Sequence, residues 1–188
     1  MLGNYTHMMA YKRRQELMNG ISMLPGIVMS YLFFKTTPYP QSIAMIGYTI
    51  TCCCSMICHF GHAYYCNFEQ KWLRTDLIGQ HVGLMFGISQ SILRPSSVLL
   101  LLPASLLGII TDLDDPSERN LAYLASAINI LTTVVFSPKL VIQWLIAFCF
   151  FGAERFINTN GMSHLLWHAM CHIVIYQFFG HVHSQAYT

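Results

Sequence analysis

The sequence predicts an all-α membrane protein, a bundle of seven transmembrane helices forming one domain over residues 1-188. Three observations predict it. Hydrophobic residues make up 54% of the chain and charged residues only 10%, against about 25% charged in soluble domains. Mean hydropathy is positive, at +0.47. The apolar residues also gather into runs, each bounded by charge, proline or asparagine. A net charge of +2 is too small for a nucleic-acid partner. No internal repeat, low-complexity tract or linker divides the chain.

The chain opens with a short segment, residues 1–16, that closes on Lys12, Arg13 and Arg14 before the apolar residues begin. That order is unlike a cleaved signal, whose apolar stretch follows its basic residues early. Leu17 to Phe34 is the first apolar segment, Ser42 to Tyr65 the second and Leu73 to Leu93 the third. A short fourth runs from Val98 to Ile110 with Pro103 inside it, followed by Leu121 to Phe136, Leu140 to Phe156 and Met162 to Gly180. Several fall short of the ~20 residues a perpendicular span needs, which leaves their ends open by several residues; seven spans is the reading and six the alternative, the fourth segment being the weakest. Pro25 and Pro103 are expected to kink their helices.

Orientation follows from the cations. With the N-terminus in the cytosol, Lys12, Arg13, Arg14, Lys71, Arg74, Arg119 and Arg155 lie inside, and Lys35, Arg94 and Lys139 outside. Seven against three favours a cytosolic N-terminus with the C-terminus opposite. The sole glycosylation sequon, Asn4-Tyr5-Thr6, then stays cytosolic. The seven cysteines include no CxxC and fall almost wholly in apolar segments, so they read as buried thiols. Cys66, near a membrane boundary, is a candidate for palmitoylation. Asp112, Asp114, Asp115 and Glu118 lack the spacing and glycine of a calcium loop and read as a solvated turn into the fifth segment.

The polar residues at membrane depth carry the chemistry. Met162 to His172 reads MSHLLWHAMCH, which stacks His164 and His168 on one helical face. An unpartnered polar group in hydrocarbon costs several kcal/mol, so such residues mark candidate sites. The second segment ends with Ser55, His59 and His62, and the third begins with Asp76 and His81. Because successive spans alternate in direction, these pieces and the start of the seventh converge on the cytosolic side. His59, His164 and His168 make a sound ligand set for Zn2+, leaving a fourth position for water. Zinc lowers the pKa of that water toward ~7. Asp76 is then a candidate catalytic base, and Ser55, one turn from His59, a candidate for orienting a ligand or a substrate carbonyl. Asp76 alone also fits an acid in the first helical turn, and Ser55 a small residue between packed helices. His62, His81 and His172 read as core or interface histidines; His7, His181 and His183 carry no assignment.

These residues resemble a known family. Ser55-x3-His59, Asp76 and His164-x3-His168 form the motif set of the progestin and adipoQ receptor family, which includes the hemolysin III-like membrane proteins of bacteria. SMICHFGHAYYC, LRTDLIG, ERF at Glu154 to Phe156 and SHLLWHAMCH are similar to the family's local sequences, and Glu16-Leu17-Met18-Asn19-Gly20 more loosely so. The alkaline ceramidases share the residue types with a different spacing. The resemblance implies seven helices, zinc on His59, His164 and His168, Asp76 near its water and Ser55 beside it. It also implies membrane lipids as partners, with a lipid amide such as ceramide, or a steroid-like ligand, in the site. The shortness of the segment before the first span points to the compact hemolysin III-like branch. Two rival readings are a haem-binding electron carrier, which would use the surplus histidines as axial ligands, and a receptor whose zinc is structural.

Overall fold

A computed structural model describes residues 2–39, 41–65, 70–92, 106, 109–111, 115–157 and 161–185. The chain is all-helical, as expected, and the described residues contain no strand. Cys66, Arg94, Pro103, Asp112, Asp114 and most of the fourth segment lie outside the described residues.

The first apolar segment differs from the continuous helix its hydropathy suggests. It falls across α1 (Leu2–Ile21) and α2 (Leu24–Thr36), separated by a turn at Ser22 and Met23. Pro25 supplies the reason, since it sits in the opening positions of α2. A proline there has no N–H to donate, and its ring would collide with the carbonyl of Ile21 in an unbroken helix. The N-terminal segment is correspondingly helical well before the apolar residues begin, which places Glu16 inside α1.

The second segment is a 3-10 turn, Gln41–Ile43, leading into α3 (Ala44–Tyr65). The third begins three residues earlier than its hydropathy indicates, as α4 (Gln70–Ile92). Next comes α5 (Pro116–Phe136), opened by Pro116 with Glu118 in the first turn, where the helix dipole favours an acid. A second 3-10 turn, Pro138–Leu140, precedes α6 (Val141–Phe156). The final helix is α7 (Met162–Gln185), which starts at the predicted residue.

Among the described residues, two stretches are long and apolar enough to cross a membrane, Lys12–Thr36 and Ala44–Tyr65. Ala44, Tyr48, Thr51, Ser55 and His59 face inward at helical spacing, whereas Ile46, Ile50 and Ile57 point outward. Against α3 lie α1, α2 and α4, and α7 packs on α1, α2, α4 and α6.

Glycines bring α3 and α4 into close contact. A Cβ on Gly47 would meet the carbonyl of Gly83, and one on Gly83 would meet the Thr51 hydroxyl and the Gly47 carbonyl. Thr51 Oγ1 uses the approach to donate to the Gly79 carbonyl at 3.0 Å. Such small-residue seams let helix backbones touch, and this one fixes the register of Ser55 and His59 against Asp76. The main core joins Met45, Tyr48 and Cys52 of α3 to Trp144 of α6 and Val174, Ile175 and Phe178 of α7.

Candidate metal centre

His59 comes from the last turns of α3, and His164 and His168 from the first turns of α7. The helix start depends on Gly161, whose φ of +80° is a left-handed conformation that glycine tolerates and other residues strain to adopt. The Gln15 side chain occupies the space a Cβ at Gly161 would fill. α1 therefore packs directly against the residue that launches α7.

The three imidazoles converge. Each offers a nitrogen, and these atoms all lie within 4.8 Å of one another. Ring centroids are 5.2 Å apart for His59 and His164, 5.2 Å for His59 and His168, and 4.5 Å for His164 and His168. An ion held at about 2.0–2.1 Å in tetrahedral geometry sets its nitrogens roughly 3.3 Å apart. Small side-chain adjustments bring this donor set to that spacing, so the group can hold a metal ion.

α1 supplies further contacts. Glu16 Oε2 lies 2.7 Å from His59 Nδ1 and 3.8 Å from His62 Nδ1. Ser22 Oγ donates to the Asn19 carbonyl at 2.6 Å and sits 2.6 Å from His168 Nδ1. The Ser22 carbonyl lies 2.8 Å from His172 Nε2, and the Tyr48 hydroxyl meets His172 Nδ1. Both nitrogens of His172 are thus occupied, consistent with a core histidine.

Asp76 lies six residues after Gln70 and so outside the first turn of α4. The alternative in which it serves that turn as a favourable acid is set aside. Its Oδ2 accepts from Gln80 Nε2 at 3.0 Å, and its carboxyl group interacts with Ser55 and with the field of His59. Among the described residues, the other oxygen, Oδ1, is buried without a hydrogen-bond partner. Buried acceptors left unpaired are costly and mark groups reserved for a ligand or water.

All five residues singled out from the sequence line one cavity of about 330 Å3. The lining combines the polar Ser55, His59, Asp76, His164 and His168 with the apolar Ile130, Trp144, Phe148, Phe151 and Trp167. The aromatic lining residues pack together, the Trp167 ring centroid lying 5.2 Å from that of Phe151 and 5.6 Å from that of Phe148 with the rings tilted. His62 also lines the cavity. His81 is buried instead against Ser126 of α5, 3.3 Å away.

Glu16, Asn19 and Ser22 are the site neighbours that hydropathy and spacing did not assign. The usable signal was a carboxylate and an amide, Glu16 and Asn19, leading into an apolar run. No family model, curated protein or solved structure matches the chain.

Proposed function

We propose that this chain is a seven-span membrane protein of the progestin and adipoQ receptor type, whose zinc site hydrolyses a lipid amide or ester that enters from the bilayer. The observation that carries the reading is the cavity itself, lined both by three converging histidines and a carboxylate and by several aromatic side chains. Such a chamber suits a ligand with a polar linkage and a long apolar body.

A membrane setting is supported by the outward-facing residues. Val28, Leu32, Leu124, Leu131, Val135, Ile142 and Leu145 are all more than half exposed, and soluble monomers rarely expose apolar surface on that scale. α4 carries Asp76 and α7 carries His164 and His168, and the aspartate and cations of α4 and the histidines of both helices lower the hydropathy by which spans are recognised. Arg13 stacks over Tyr64 at the site end of α3, and Arg74 donates to the Thr111 carbonyl. Lys139 lies beside His181 near the far end of α7. This separation agrees with a cytosolic site and N-terminus.

His59, His164 and His168 would hold the ion. When bound, zinc polarises a carbonyl and makes water acidic enough to react near neutral pH. Asp76 takes the proton of the attacking water at its unpaired Oδ1 and passes it to the departing amine or alcohol. Gln80 and Ser55 steady the carboxylate, and Ser55 can turn its O–H toward the developing oxyanion once Asp76 is protonated. The aromatic lining holds the acyl chain and excludes bulk water.

The test is release of fatty acid from a panel of lipid amides and esters in detergent or vesicles. Activity should disappear on chelation, return with zinc and favour long-chain substrates. A zinc-loaded protein that cleaves none of them would favour a receptor with structural zinc.

A further inference from the structure

We infer that α1 is the orienting arm of the metal centre, with Glu16 and Ser22 as positioning residues that set the tautomers of His59 and His168. The inference rests on the metal-site reading above and adds the residues that prepare it.

Donors and acceptors decide which ring nitrogen carries the proton. Glu16 Oε2 is 2.7 Å from His59 Nδ1. An ionised carboxylate only accepts, so the proton lies on Nδ1 and a neutral ring keeps its lone pair on Nε2. The same logic holds at His168. Ser22 has one hydroxyl proton, already donated to the Asn19 carbonyl, so the Ser22 oxygen accepts from His168 Nδ1–H. His168 Nε2 is thereby bare as well. Both rings are set for metal ligation through Nε2, the arrangement that outer-shell partners of metal-bound histidines usually impose.

Ser22 is itself held. Its carbonyl receives His172 Nε2–H at 2.8 Å, and the Tyr48 hydroxyl occupies the opposite nitrogen of that ring. The break between α1 and α2 frees this carbonyl from an unbroken helical ladder. The helix break at Pro25, the core position of His172 and the register of His168 thus form one connected device.

The test uses the full chain in detergent. In the metal-free parent at mildly alkaline pH, long-range nitrogen-15 spectra of labelled histidine should show protonated Nδ1 and bare Nε2 on His59 and His168. Glu16→Gln and Ser22→Ala should each mix the tautomers of their own partner ring. Competition with a chromophoric chelator should show each variant losing roughly 10–100-fold in zinc affinity, with Ser22→Thr restoring it. Cobalt substitution should give an altered visible spectrum in the two weakened variants. Parent rings protonated on Nε2, or a Glu16→Gln, Ser22→Ala double variant within twofold of parental affinity, would overturn the inference. Because the tautomers are read without metal, a parent with bare Nε2 atoms that takes up no zinc would fail the metal reading alone.

Discussion

Replacing Asp76 with Asn separates catalysis from metal binding. The side chain keeps its size, and the Gln80 contact at 3.0 Å survives if the amide oxygen takes the place of Oδ2. Its NH2 group then points where the unpaired Oδ1 lay. What disappears is the capacity to accept and return a proton. General-base contributions run to about 10²–10⁴ in rate, equivalent to ~3–5 kcal/mol of barrier. We expect kcat for lipid amide hydrolysis to fall by that range while zinc content stays within twofold of the parent, because His59, His164 and His168 are unchanged. The assay is product release by mass spectrometry, run beside metal analysis of the same preparation. Parental turnover in Asp76→Asn would refute the role given to the carboxylate. Loss of zinc together with activity would assign Asp76 to holding the ion.

Further expectations concern the scaffold and pH. Gly83→Ala places a methyl against the Thr51 hydroxyl and the Gly47 carbonyl, and overpacking of this kind costs about 1–3 kcal/mol. A clear fall in Tm is expected, whereas Gly152→Ala, with nothing within 4 Å of its Cβ, should leave Tm unchanged or raise it; equal Tm values would contradict the α3–α4 seam. Gly161→Ala must adopt φ near +80° and displace Gln15, so it should lower both Tm and zinc affinity. Imidazole binds metal only when neutral, so zinc affinity should fall as pH drops and recover as it rises. An affinity independent of pH across the imidazole range would exclude ligation by histidine.

The parts legible in the sequence are those in which spacing is itself the structure. His164 and His168 share a face because four residues make about one helical turn, and α7 begins at the residue expected from its apolar run, Met162. Asp76 and Ser55 reached the same cavity because α3 and α4 are neighbours in the chain and pack antiparallel. Other features depend on tertiary contact. Glu16 reads in sequence as one acid beside a basic cluster, and only the docking of α1 on α3 turns it toward His59. Ser22 reads as a small residue within an apolar segment. Its role follows from a proline three residues later and two histidines about 150 residues away.

The central claim is that His59, His164 and His168 hold one zinc ion. Metal content per chain of detergent-purified protein, measured beside a His164→Ala, His168→Ala variant, tests it most directly. The account predicts about one zinc per parent chain and essentially none in the variant, as befits a site with three protein ligands. Equal zinc in both proteins, or none in the parent after exposure to the free ion, would contradict it.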